Sequence, residues 1–217
     1  MSPPGRPKGE YRSAQHGGYQ VTHVPAAGLP DPVHDAQRAF RIALSAMSRP
    51  ATVHTLGAPI PDVPLGGAMA RLLLALTDED TPVWWQHAQP QLRQWLRFHT
   101  GARPVPAAGE ASFAVITEAA ALPELQSFQN GSLEAPEQSC TLLVEVPTLH
   151  GGLAVQTHGP GLRTQASLDI AGLPEGFWAE WQASHALFPQ GVDIFFTCGD
   201  QVLGLPRTTR IGRLQGI

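Results

Sequence analysis

Arg207-Thr208-Thr209-Arg210 is the stretch best equipped to hold an anion, with two guanidinium groups and two hydroxyls directly behind Pro206. A guanidinium fork matches a carboxylate, phosphate or phosphonate in two-point geometry. The same four residues could instead contact a partner chain, or be solvated charge near a C-terminus. Asp78-Glu79-Asp80 is a second cluster. Its carboxylates suit a hard cation such as magnesium, or a solvated turn capped by an aspartate. His99, His150, His158 and His185 could act as acid or base. No spacing pairs any of them with a carboxylate or a nucleophile, so core or surface packing is the ordinary expectation for each.

The absences are equally informative. Lys8 is the sole lysine, so the body of the chain offers no ammonium for a Schiff base or a phosphate loop. Pyridoxal-phosphate enzymes, Walker-type nucleotide hydrolases and lysine-dependent aldolases are excluded together. No GxGxxG follows a strand, and there is no GxSxG elbow, HExxH pair or EF-hand loop. Gly159-Pro160-Gly161 reads as a turn. Cys140 and Cys198 stand in apolar runs with no CxxC and no histidine at zinc spacing, so reduced thiols are expected. No catalytic residue, metal-ligand set or cofactor is assigned.

The elements that must position these residues centre on a hairpin. Val192–Thr197 is a β-branched and aromatic run, Gly199-Asp200 turns, and Val202–Leu205 returns until Pro206 stops it. Upstream, a helix capped by Asp35 is expected to run to about Ser48, with Ala36, Phe40, Ala43, Leu44 and Met47 inward. A strand over Ala51–Leu56, a buried helix over Met69–Leu76 and a strand over Pro82–Trp85 follow. Next come a helix over Gln91–Phe98 with Gly101 as its C-cap, a strand over Phe113–Thr117 and a short helix over Leu122–Phe128. Thr141–Val146 is expected to be a central strand paired with Leu153–Thr157. A strand over Leu162–Leu168 and a helix over Pro174–His185 complete the set. Alternation in the first half and hairpins in the second predict an α/β fold with a mixed sheet covered by helices.

Length and charge set outer bounds. The chain has 217 residues, 42% hydrophobic and 15% charged, with a formal net charge of −4. One domain over residues 31–217 is expected, behind a disordered tail over residues 1–30 that is rich in Gly, Pro, Ser and Gln. The acidic balance argues against a nucleic-acid binder. The charged share is low against a usual value of about 25%, which leaves surface for association with other chains. No secretory or membrane-spanning segment is read, so a cytoplasmic protein is expected.

Several segments taken in order resemble one family. They are Gln37-Arg38-Ala39-Phe40-Arg41 with Ala46-Met47-Ser48-Arg49-Pro50, and Leu76-Thr77-Asp78-Glu79-Asp80-Thr81-Pro82-Val83-Trp84. They continue as Leu96-Arg97-Phe98-His99-Thr100-Gly101-Ala102, Gly159-Pro160-Gly161, and Phe188-Pro189-Gln190-Gly191-Val192-Asp193 through Leu205-Pro206-Arg207-Thr208-Thr209. This order resembles the PhnH family, subunits of the bacterial carbon–phosphorus lyase core complex. The family pattern has Gly where this chain has Ala51, and Ile where it has Val192. The resemblance implies a three-layer α/β/α fold similar to the large domain of pyridoxal-phosphate transferases but without the cofactor. It implies a cytoplasmic homodimer that assembles with PhnG, PhnI and PhnJ. With PhnL, that machinery joins methylphosphonate to the ribose of ATP and releases adenine, giving α-D-ribose 1-methylphosphonate 5-triphosphate. The iron–sulfur chemistry of C–P cleavage is assigned to PhnJ, so a non-catalytic role is implied for this chain. The alternative is that the chain itself grips a phosphonate or nucleotide phosphate through Arg207, Thr208, Thr209 and Arg210, with Asp78 and Asp80 holding magnesium.

Overall fold

The computed structural model describes residues 26–213. Helix α1 (Pro32–Ser48) is capped by Asp31, whose carboxylate accepts from the N–H groups of Val33 and His34. The expected cap, Asp35, is one turn too late. Pro32 fixes the first helical φ and has no N–H to satisfy, so Asp31 takes the cap position. Asp35 returns a bond, its Oδ2 accepting from the Asp31 N–H at 3.2 Å. The inward face also differs from expectation. Ala39, Ala43 and Ala46 are buried, while Phe40 and Leu44 are 47% and 55% exposed. The cause is a close approach: a Cβ on Gly204 would lie 2.6 Å from the carbonyl carbon and oxygen of Ala46. At that separation only alanines fit beneath the helix.

Strand β1 (Val53–Thr55) follows Ala51, which sits in the left-handed region at φ +63. The chain continues through α2 (Gly67–Leu76), β2 (Pro82–Trp85), α3 (Pro90–Thr100), the two-residue β3 (Arg103–Pro104), which no periodicity announces, and β4 (Phe113–Ile116). Gly101 ends α3 in the left-handed conformation, as expected. The helix expected over Leu122–Phe128 is instead two 3₁₀ turns, Ala119–Ala121 and Leu125–Ser127. Pro123 lies between them and holds Leu122 out of helical backbone. Next come β5 (Thr141–Glu145), β6 (Val155–His158), β7 (Ala166–Leu168), α4 (Phe177–His185), β8 (Asp193–Cys198), β9 (Gln201–Leu205) and β10 (Arg210–Arg213). Helix α4 starts three residues later than expected because Pro174 serves the preceding turn and Gly176, at φ +85, takes the N-cap.

Seven strands form a mixed sheet in the order β1-β9-β8-β5-β4-β2-β3. Strands β3, β2, β4, β5 and β8 run parallel, and the β8–β9 hairpin with β1 adds the antiparallel edge. The central strands are apolar on both sides because both sides are covered. Val115, Leu143, Phe195 and Gly204 lie across from one another and meet α1, α2 and α3. Ala114, Leu142, Ile194 and Leu205 form the next row and face the opposite layer. That layer contains Phe177, Trp178 and Trp181 of α4 beside a second sheet of three strands, ordered β10-β6-β7.

The second sheet corrects one expectation. Strand β6 does not pair with β5, both of whose edges are taken by β4 and β8. It pairs antiparallel with β7 and β10 instead. Residues 26–28, assigned by composition to a tail, lie on α3: Trp95 Nε1 donates to Ala27 O at 3.0 Å, and His99 Nε2 meets Ala26 O at 3.0 Å. Leu29 packs against the core as well, and residues 1–25 of that tail lie outside the described residues. No described helix is long and apolar enough to cross a membrane.

Candidate functional site

Four loops remote in sequence meet at one corner, where the main sheet hands the chain to the small one. They are the end of α1 (Ser48–Pro50), the β6–β7 turn (Gly159–Gly161), the segment after α4 and the Pro206–Thr209 turn. A Cβ on Gly161, at φ +83, would lie 2.1 Å from Ser48 O. A Cβ on Gly159 would lie 2.9 Å from Thr208 O, so neither loop could sit where it does with a side chain there. The Pro206 carbonyl accepts from Thr209 N–H at 2.8 Å and closes the last turn. Trp181 Nε1 donates to Thr209 O at 2.9 Å and Gln182 Nε2 to Ile211 O at 2.8 Å, clamping the strand crossover onto α4.

The structure gives the four candidate anion contacts different surroundings. Arg207 is turned inward, its side chain 15% exposed. Its guanidinium pairs with Asp193 and donates to Ser139 Oγ, and Nη1 donates to Pro136 O at 2.7 Å. Its N–H donates to Asp193 Oδ1 at 2.8 Å. The fork thereby joins the start of β8 to the loop before β5. Thr209 is buried, and its Oγ1 has no hydrogen-bond partner among the described residues. Thr208 and Arg210 face outward and line a cavity of about 580 Å3 with His158, Gly159, Pro160, His185, Ala186 and Phe188.

Two histidines thus join the site that no linear spacing connects to it. His158 stands directly across from Arg210 in the β6–β10 register, which puts both side chains on one face. The tautomer of His185 is set from behind: its Nδ1 lies 2.9 Å from Arg207 O, and a carbonyl only accepts, so Nδ1 is the donor. Recognition of β10 would have shown the His158–Arg210 pairing, but Arg-Ile-Gly-Arg is too short and too polar to stand out. Arg207 did have a signal, since Asp193 at the head of an apolar strand needs a partner.

The acidic cluster has a different role. Asp78 Oδ1 accepts from Asp80 N–H at 3.1 Å and from Thr81 Oγ1 at 2.6 Å, so that carboxylate closes its own turn. Among the described residues no three His, Cys, Asp or Glu side chains gather as a metal site. Both cysteines are free thiols, and burial pushes the Cys140 thiol up to about 12.

A second titratable group sits at the C-terminal ends of the parallel strands, a usual place for ligands in such sheets. Glu145 ends β5 inside an otherwise apolar run. Its Oε2 accepts from Thr197 Oγ1 at 2.7 Å and its Oε1 from Gly199 N–H at 3.3 Å. A Cβ on Gly66, at the start of α2, would be 2.5 Å from Oε1. The carboxyl therefore occupies the space beside Gly66 and lines a cavity of about 270 Å3 with Thr117 and Met69. Its burial raises it above the usual carboxylate range against those two hydrogen bonds.

With this geometry in view, similarity to known proteins decides the family. The profile described as "Bacterial phosphonate metabolism protein (PhnH)" matches residues 27–212. The chain belongs to the PhnH family. A Rhizobium meliloti PhnH, described as a subunit of alpha-D-ribose 1-methylphosphonate 5-triphosphate synthase, is 37% identical over 195 residues, covering 88% of this chain and 98% of its own. A Stutzerimonas stutzeri protein, described as putative C-P lyase subunit protein HtxG, is 38% identical over 81 residues, 37% of this chain and 42% of its own. The PhnH resemblance read from the short motifs therefore holds. Three of them, Ser48-Arg49-Pro50, Gly159-Pro160-Gly161 and Pro206-Arg207-Thr208-Thr209, meet at the corner just described.

Proposed function

We propose that this chain is a subunit of a phosphonate-processing assembly that supports formation of α-D-ribose 1-methylphosphonate 5-triphosphate from ATP and methylphosphonate with release of adenine. The observation that carries this reading is the nearly end-to-end match with a chain described as a subunit of that synthase. In the proposed role the chain is a non-catalytic, cytoplasmic homodimer that joins PhnG, PhnI and PhnJ. Two features support it. Arg207 is engaged within the fold, which suits an anchor for the corner. Large apolar side chains lie at the surface, among them Phe40, Leu44, Leu153, Leu187 and Phe188, on a chain with only 15% charged residues. A subunit has such surface to cover. Co-expression with PhnG, PhnI and PhnJ tests this: a tagged copy should retrieve all three in fixed stoichiometry. A chain that elutes alone at every salt concentration would overturn it.

The cavity beside Arg210 favours a second reading, in which the chain holds a phosphorus oxyanion. Of the four residues first considered, Thr208 and Arg210 are placed to do so, because Arg207 and Thr209 face the interior.

A further inference from the structure

Asp193 begins β8 with its charge answered by Arg207. At the other end of the same strand, Glu145 closes β5 with an acid that no base answers. Its two hydrogen bonds come from neutral donors, the Thr197 hydroxyl and the Gly199 N–H. Among the described residues no arginine or histidine lies within ion-pair distance of it. The ionisable side chains beside it, Cys198 and Asp200 on the β8–β9 turn, are neutral or acidic. A desolvated carboxyl in a cleft with no opposite charge marks a candidate binding group.

The cavity that Glu145 lines is apolar on its other sides. Val63, Pro64, Leu65 and Met69 make the walls, Thr117 adds a hydroxyl, and no basic residue is among the lining side chains. The parts are fixed in place. Met69 is fully buried in α2, and Thr117 is held through its N–H, which donates to Gln86 Oε1 at 3.0 Å. The loop before α2 is tightly folded: Val63 N–H donates to Ile60 O at 3.2 Å and Leu65 N–H to Val63 O at 2.9 Å. Asp62 of that loop lines a neighbouring cavity with Trp95 and not this one. The start of α2 brings about half a positive charge nearby. Part of it is already met by Gly199 O, which accepts from Ala68 N–H at 2.9 Å. The full charge of the carboxylate is larger, so the cavity favours a cation.

We propose that this cavity binds a small primary amine in its protonated form. The ammonium group donates to the Glu145 carboxylate and the Thr117 hydroxyl, and a short aliphatic body lies against Val63, Leu65 and Met69. An ammonium carries three donors, and both oxygens of the carboxylate keep a lone pair beyond the bonds from Thr197 and Gly199. A hard divalent cation fits less well, because it takes about six to eight oxygens and the lining offers one carboxylate and one hydroxyl. The volume of about 270 Å3 lies just below the range of about 300–1,000 Å3 usual for drug-sized ligands, which suits a body of a few carbon atoms. This site shares no lining residue with the corner cavity, and the proposal stands apart from the role of the chain in an assembly.

Ligand-observed NMR titration of the full chain at neutral pH tests it, with n-butylamine, n-butanol and butyrate as probes that share a body and differ in head group. Butylamine should bind at least about tenfold more tightly than butanol, the scale of one charge-assisted contact, and butyrate more weakly than either. Glu145→Gln should abolish the preference for the amine and leave butanol unchanged. Thr117→Val keeps the shape and removes the hydroxyl, so it should weaken butylamine by about threefold or more. An unaltered melting temperature for Thr117→Val would separate that loss from misfolding. Asp62→Asn, in the neighbouring cavity, should leave all three affinities as they are. Equal binding of butylamine and butanol to the parent chain would overturn the proposal. So would a preference for the amine that survives Glu145→Gln, or one that Asp62→Asn removes.

Discussion

At the scale of single residues, the corner depends on one ion pair. Arg207 and Asp193 are 15% and 23% exposed at their side chains, and the guanidinium also satisfies Ser139 and the Pro136 carbonyl. Removing one partner leaves the other charge largely desolvated, a loss of about 3–5 kcal/mol in comparable buried pairs. Arg207→Ala should therefore lower stability by about 3 kcal/mol in denaturant unfolding and reduce assembly with it. Arg207→Lys should recover little, because an ammonium cannot meet Asp193, Ser139 and Pro136 in one plane. A normally stable, fully assembled Arg207→Ala complex lacking turnover would show that this residue acts in chemistry. Glu145 offers a pH-dependent contrast. Its carboxyl is raised above the 4.5 of an unfolded glutamate, first through burial. The folded state then holds the proton more tightly. The associated stability is fully present below about 4.5 and is lost as pH rises through the folded value. Glu145→Gln keeps one acceptor and removes the charge. The melting temperature of the parent relative to this variant should rise as pH falls from 7 to 4.5. A constant difference across that range would uncouple this carboxyl from folding.

At the scale of elements, the turn after α1 and the contact between α1 and β9 are governed by small side chains. Ala51 adopts φ +63, where an L-residue is strained by about 1–2 kcal/mol and β-branched side chains by more. Stability should thus rank Gly, then Ala, then Val at this position, with Ala51→Val costing at least about 1 kcal/mol. A reversed ranking in equilibrium unfolding would mean that packing of the methyl group outweighs the backbone. Gly204→Ala should cost more, about 2–3 kcal/mol, because its Cβ would meet the Ala46 carbonyl at 2.6 Å and displace α1. The same contact explains where the sequence misled. The larger apolar residues of α1, Phe40 and Leu44, suggested the inward face, but a glycine in a partner strand reversed the choice. Periodicity records which side chains are apolar and not how closely a backbone will approach. The β8–β9 hairpin was legible because both strands pair locally across a two-residue turn. The strands expected over Leu153–Thr157 and Leu162–Leu168 overlap β6 and β7, but their pairing was not legible, since it is completed by β10, which arrives only after the crossover from β9. The candidate site was half legible for the same reason. Arg210 and Thr208 were in view, and His158 arrives by non-local pairing.

At the scale of the whole molecule, two sheets are joined through a corner where two glycines let backbones approach closely beside the cavity. The small sheet reaches the end of α1 through Gly161 and the crossover turn through Gly159. Behind it, the apolar side chains of Val155, Leu168 and Ile211 merge with the core around α4. These two attachments differ in kind. The apolar one tolerates small shifts, whereas a Cβ at residue 161 would overlap Ser48 O at 2.1 Å on a backbone already at φ +83. Gly161→Ala should therefore pry the β6–β7 turn from α1 without dissolving the main sheet. Hydrogen exchange resolves this: residues 155–168 and 206–211 should lose protection, while β4, β5 and β8 keep theirs. The cavity lined by His158 and Thr208 should lose its shape in the same variant, because both residues move with these segments. An even rise in exchange across both sheets would show that the corner and the main sheet unfold as one unit, and that the site cannot be loosened separately from the fold.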